Sequence, residues 1–82
     1  MNVMALPHRH TRFVLLSSMA QKLDHRTRYY VSKNGSMTMK KQEATTFYNF
    51  IDAKNYAEEH QLPLEAYVHI GEEEFTNAEL WG

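Results

Sequence analysis

The sequence predicts a small α+β domain of two layers, in which one helix packs across a sheet in the chain order ββαβ. An Asn-Gly pair at residues 34 and 35 separates two strand-like segments, which is the strongest short-range signal for a β-hairpin. A segment with helical apolar spacing begins near residue 50, and a segment with alternating apolar residues begins at residue 64. Because 82 residues allow a single domain, these elements are expected to share one core.

The hairpin is predicted over residues 28–33 and 36–41. A two-residue type I′ loop would place Tyr30 opposite Met39 and Tyr29 opposite Lys40. The more apolar face would carry Tyr30, Met37 and Met39, and we expect that face in the core. The opposite face would be open to solvent and would carry Tyr29, Val31, Lys33, Thr38 and Lys40, joined by Tyr67 and His69 of the later strand.

The helix and the third strand follow from capping signals and periodicity. Asn49 is a predicted N-cap, and Pro63 is expected to end the helix at about Leu62. Residues 64–70 alternate between apolar and polar side chains, which indicates a strand that ends near Gly71. Thr76 and Glu79 have the spacing of a capping box before a short last turn.

The N-terminal region has no clear pattern. Residues 1–12 lack apolar periodicity, so we expect a mobile basic arm. Residues 13–23 favour a short helix, although Phe13 to Leu16 fit a short buried strand equally well. This interpretation places the domain at residues 19–82 and treats residues 1–18 as an arm or an upstream extension.

Charge is divided unevenly along the chain, although the formal net charge is only −1. Residues 1–41 contain eight of the nine Lys and Arg residues, whereas residues 42–82 contain nine of the ten acidic residues. We favour a fold in which the two ends of the chain pair and the charges interleave. The alternative is a molecule with one basic and one acidic face.

Composition excludes several classes of protein. There is no cysteine, so disulfides, thiolate metal sites and cysteine nucleophiles are impossible, and a reducing cytoplasm is the expected location. The longest apolar run has four residues, which is too short for a membrane span or a signal peptide. A small core without disulfides or thiolate metal sites gives only marginal stability, which favours a homodimer or a bound partner.

Motifs for catalysis and cofactor binding are missing from the sequence. Neither a nucleophile elbow nor a phosphate-binding glycine loop occurs. His8 and His10 lack the further ligands that zinc needs. The acidic run from Glu72 to Glu74 cannot converge on one site if it forms a strand, so we expect a solvated patch at a sheet edge. We therefore predict no enzyme, no cofactor and no metal site.

Two functions remain. The first is a small protein-interaction module, a regulator or inhibitor of the kind that phages and mobile elements encode, which binds a protein partner or itself. The alternative is nucleic-acid binding by the basic half, in which cations pair with phosphates and tyrosine stacks on bases. The candidate binding residues are Arg26, Arg28, Tyr29, Lys33, Lys40, Lys41, Tyr67 and His69, and the candidate acidic patch is Glu72, Glu73 and Glu74.

Overall fold

A computed structural model describes residues 9–23 and 28–81 of the chain. Five strands form an antiparallel sheet, and a helix packs against it, which confirms the predicted α+β class. The elements in chain order are β1 (Arg9–Ser17), α1 (Ser18–Leu23), β2 (Tyr30–Val31), β3 (Met37–Thr38), a 3₁₀ helix (Lys41–Glu43), β4 (Thr46–Phe47), α2 (Phe50–Glu59), β5 (Val68–Thr76) and α3 (Asn77–Trp81).

Strand β1 is the centre of the sheet. One edge of β1 pairs with β5 along its whole length, and the other edge pairs with β4 and then with β2. The prediction of an arm over residues 9–17 is therefore wrong, as is the helix over residues 13–17; helix α1 begins only at Ser18. Residues 1–8 lie outside the described part of the chain.

Burial on both faces explains why β1 shows no alternation. Val14, Leu15 and Leu16 are all buried, because β1 has a hydrophobic cluster on each side. A strand that is covered on both faces reads as a continuous apolar run, which periodicity cannot separate from a helical segment.

Two hydrophobic clusters divide the core. The first lies on the face covered by the 3₁₀ helix and α3 and contains Val14, Leu16, Tyr30, Ala44 and Phe75, with Leu80 packed against them. The second lies under α2 and is built on Leu15, Val31, Ala53, Ala57 and Val68. Val31, which the sequence predicts on the open face, therefore belongs to the core under α2.

The hairpin forms, but its register differs from the prediction by one residue. Tyr30 lies opposite Thr38, and Val31 lies opposite Met37. The loop has three residues, since Ser32 N donates to Ser36 O at 2.7 Å and Gly35 is its single residue with positive φ, at 89°. This one-residue shift moves the side chains of β3 to the opposite faces relative to those of β2, while Tyr30 stays in the core as predicted.

This shift corrects the predicted faces of the hairpin. Met37 and Met39 are exposed rather than buried, and Tyr29 is not opposite Lys40. The Tyr29 carbonyl instead accepts a hydrogen bond from Ser17 N at 2.8 Å, at the end of β1.

Helix α2 begins where its cap predicts. The side chain of Asn49 accepts a hydrogen bond from Asp52 N at 2.8 Å, which confirms the N-cap. The helix ends at Glu59, three residues earlier than expected, because Gln61 has a left-handed backbone (φ 56°).

Strand β5 starts and ends later than the alternating pattern suggested. Glu65 has a positive φ of 70° in the turn before it, so the strand begins at Val68 and continues through the three glutamates. Gly71 is in the middle of β5, where the Leu16 Cδ1 atom lies 2.8 Å from the position of a Cβ atom. The predicted capping box then starts α3: Thr76 N donates to Glu79 Oε1 at 2.8 Å, and Glu79 N donates to Thr76 Oγ1 at 3.2 Å.

Candidate functional site

Two of the predicted binding cations, Arg28 and Lys41, meet the acidic half of the chain around Glu73. Strand β5 places Glu73 on the face of the first hydrophobic cluster, and we call Arg28, Tyr30, Lys41, Glu73 and Glu79 the Glu73 cluster. Arg28 forms an ion pair with Glu73, and the Tyr30 hydroxyl donates to Glu73 Oε2 at 3.0 Å. Lys41 Nζ lies 3.6 Å from Glu73 and 3.2 Å from Glu79.

The electrostatics of the Glu73 cluster favour its paired form. Burial, together with the hydrogen bond to Glu73 and the charge of that carboxylate, raises the pKa of Tyr30 to about 12. The hydrogen bond from the Thr76 backbone, followed by contact with Lys41, lowers the pKa of Glu79. Tyr30 is therefore a neutral donor and Glu79 an anion at neutral pH.

The two halves of the chain thus interleave their charges, as the favoured interpretation of the sequence expects. A further pair joins Arg9 of β1 to Glu74 of β5 at 3.3 Å, although both side chains are well exposed. Cations and anions from opposite ends of the sequence come together because β1 and β5 are neighbours.

The remaining predicted cations are dispersed. Lys33 is in the exposed hairpin loop, and Lys40 lies 4.0 Å from Glu43 with both side chains mostly in solvent. Tyr67 is exposed before β5, where its carbonyl accepts from Ser18 N at 2.6 Å. Arg26 lies outside the described residues.

Ser18 of α1 and His69 of β5 lie in contact although they are 51 positions apart, so no sequence motif predicts this pair. Ser18 Oγ lies 3.2 Å from His69 Nδ1. Burial, and then the positive charge of Arg28, lower the pKa of His69. A histidine that activates a serine needs a group that stabilises its imidazolium. The charge of Arg28 opposes that imidazolium, so the pair resembles a structural contact.

The acidic run is divided between the faces of β5. Glu73 points into its cluster, whereas Glu72 and Glu74 lie on the opposite face and are exposed. In the described part of the chain, no group of three or more His, Asp and Glu side chains is arranged to hold a metal ion. His10 lies in β1, and its Nε2 atom is 2.6 Å from Asn77 Oδ1. The His10 and Trp81 rings meet edge-on, with 5.2 Å between their centres.

Large apolar side chains remain in solvent where β4 leads into α2. Tyr48, Phe50 and Ile51 are 77%, 49% and 60% exposed, and we call these three residues the apolar patch. Arg12 and Phe13 of β1 contact these residues from opposite faces of the sheet, because consecutive side chains of a strand point to opposite faces. Arg12 Cζ lies 4.4 Å from the centre of the Tyr48 ring, and the Phe13 ring meets the Phe50 ring edge-on at 6.3 Å.

The sequence contains one indication of the apolar patch that is separate from the apolar periodicity of α2. The helical apolar spacing that begins near residue 50 does not include Ile51. Ile51 falls on the side of α2 that carries Lys54, Asn55 and Glu58, all of which are exposed. Ile51 is therefore a large aliphatic residue on the polar side of a helix, three positions from the exposed Tyr48.

None of the helices formed by the described residues is long and apolar enough to cross a membrane. In comparisons with known proteins, no family model, no curated protein and no solved structure matches this chain.

Proposed function

We propose that this chain is a small, non-enzymatic protein-interaction module, a regulator or inhibitor, which binds a protein partner through the apolar patch. The observation that carries the proposal is the exposure of three large apolar side chains, Tyr48, Phe50 and Ile51, within four consecutive positions of the sequence. The cytoplasm is the proposed location, because a chain without cysteine gains no disulfides from an oxidising compartment.

The composition of the apolar patch suits an interface. Aromatic side chains and arginine are enriched among the residues that dominate binding energy. Burying one large apolar side chain is worth about 1.5–3 kcal/mol, so a partner that covers the apolar patch gains a useful free energy. The cation–π contact of Arg12 with the Tyr48 ring favours one orientation of that ring, which lowers the entropy lost when a partner binds.

Nucleic-acid binding has weaker support. Arg28 and Lys41 would have to leave the carboxylates of Glu73 and Glu79 before they could pair with phosphates. Lys33 and Lys40 are then the main exposed cations of the hairpin. Two lysines provide little of the electrostatic attraction to phosphates that nucleic-acid binding requires.

The experiment compares two variants that add the same charge at different places. Ile51→Lys changes the apolar patch, and Gln42→Lys changes an exposed residue of the 3₁₀ helix. Each tagged protein is used to retain partners from native lysate, and the retained protein is then purified and titrated. We expect the wild type and Gln42→Lys to bind it equally, and Ile51→Lys to bind at least tenfold more weakly.

Amide spectra of each variant check that the fold is intact. Equal binding by Ile51→Lys and Gln42→Lys would contradict the proposal. So would a retained species that nuclease removes and whose binding falls steeply with added salt.

A further inference from the structure

Strand β5 has an open edge. Within residues 9–23 and 28–81, β5 pairs with β1 on one side. On the other side a parallel bridge between Leu64 and Val68 covers its first residue, with Glu65 N donating to Val68 O at 2.6 Å. Past that bridge the structure pairs no described strand with the outer edge. At the far end side chains bond two backbone groups of this edge, since Lys41 Nζ donates to Glu74 O at 2.7 Å and Thr76 N donates to Glu79 Oε1 at 2.8 Å. Alternate backbone N–H and C=O groups of an edge strand can pair with another chain.

The charge of the exposed side chains determines which kind of chain can pair with the outer edge of β5. Glu72 and Glu74 are exposed on one face of β5, and the strand contains no proline from Val68 to Thr76. An antiparallel register of β5 with a second copy, centred on the glutamates, would place glutamate opposite glutamate. Like charges directly opposite each other destabilise a strand pair, so self-pairing is disfavoured.

The intramolecular neighbours of these glutamates show what the edge accepts. Arg9, on the strand beside β5, lies 3.3 Å from Glu74, and Lys41 Nζ donates to the Glu74 carbonyl at 2.7 Å. Both side chains are cations. The exposed carboxylates would be matched in the same way by lysine or arginine at alternate positions of an added strand, whose side chains fall on one face.

We propose that the outer edge of β5, from Ile70 to Glu74, accepts an extended basic segment of the protein partner as an added strand. Main-chain hydrogen bonds provide the attachment, and Glu72 and Glu74 select lysine or arginine at alternate positions. This inference rests on the proposed interaction function, but it uses a different surface from the apolar patch.

The test uses a synthetic probe, the capped heptapeptide Thr-Lys-Val-Lys-Val-Lys-Thr, titrated into the isotope-labelled full chain and followed by amide spectra. Two matched peptides serve as controls: one has glutamate in place of lysine, and one keeps lysine but is methylated at its backbone nitrogens. We expect the first peptide to shift the amides of residues 70–74 and to slow the exchange of those that face the open edge. Both controls should bind at least tenfold more weakly.

Charge reversal in the protein should reverse the preference. The double variant Glu72→Lys, Glu74→Lys should bind the glutamate peptide and lose the lysine peptide. Equal binding of the methylated and unmethylated lysine peptides would overturn the proposal, because charge alone would then explain the attraction. Shifts confined to other strands, or no binding of the lysine peptide, would overturn it as well.

Failure here is distinguishable from failure of the proposed function. Ile51→Lys leaves β5 unchanged, so it should bind the lysine peptide as the wild type does while losing the partner that covers the apolar patch. Loss of peptide binding in that variant would contradict the separation of the two surfaces.

Discussion

The Glu73 cluster and the apolar patch each contain side chains whose exposure to solvent is the reverse of what their polarity predicts. Charged side chains of the Glu73 cluster are partly buried and paired with one another. Tyrosine, phenylalanine and isoleucine of the apolar patch stand in solvent. The charges therefore serve the fold, and the apolar side chains are available to a partner.

This difference changes which residues deserve a functional assignment. A cation that has a carboxylate partner must lose it before binding a phosphate, and that exchange gains little. An exposed apolar side chain already carries the cost of hydration, which a partner removes. Placement, rather than residue type alone, points to the apolar patch.

The largest expected effect compares two aliphatic residues that differ in burial. Leu15→Ala removes a fully buried side chain from the central strand and should lower the free energy of unfolding by about 2–5 kcal/mol. Ile51→Ala removes an exposed side chain and should change it by less than about 0.5 kcal/mol. Urea unfolding of both variants measures the difference. Equal losses would mean that Ile51 belongs to the core and that no apolar patch exists.

A second comparison uses neighbouring glutamates. Glu73→Gln leaves Arg28 and Lys41 without their shared anion and should lower the free energy of unfolding by about 1–3 kcal/mol. Glu72→Gln, on the exposed face of the same strand, should change it by less than about 0.5 kcal/mol. The same urea experiment decides, and a neutral effect at Glu73 would show that the Glu73 cluster does not stabilise the fold.

A third prediction concerns alkaline pH. The pKa of Tyr30 is raised to about 12 in the folded chain, from its ordinary value of 10.0. The contribution of this shift to the free energy of unfolding is fully present below pH 10 and is lost as the pH rises through about 12. Tyr30→Phe lacks this ionisation, so the wild type should lose more stability than Tyr30→Phe between those values. Parallel decline of both proteins in urea unfolding would place Tyr30 outside the Glu73 cluster.

Local chemistry made much of the fold predictable. The cap at Asn49 and the capping box of Thr76 and Glu79 form as expected, because each depends on residues three positions apart. The hairpin was found for the same reason. Its register was not, since an Asn-Gly pair also suits a three-residue loop, in which Asn34 Oδ1 accepts from Ser36 N at 3.1 Å and only Gly35 needs positive φ.

Long-range packing explains what the sequence could not supply. The run from Phe13 to Leu16 is a strand only because β5 pairs with it and clusters form on both of its faces. The partners of Arg28 and Lys41 depend on that same pairing. Exposure of Phe50 likewise depends on where α2 lies on the sheet, although Ile51 on the polar side of α2 was a usable signal.

Photo-crosslinking at single positions tests most directly whether the apolar patch, and not the basic hairpin, binds the partner. Benzoylphenylalanine replaces Tyr48 or Ile51 in two variants, and Lys33 or Lys40 in two others, and each is irradiated in native lysate. We expect a protease-sensitive adduct of one defined mass at positions 48 and 51, and none at 33 and 40. Nuclease-sensitive adducts at 33 and 40, with none at 48 and 51, would contradict the proposed function.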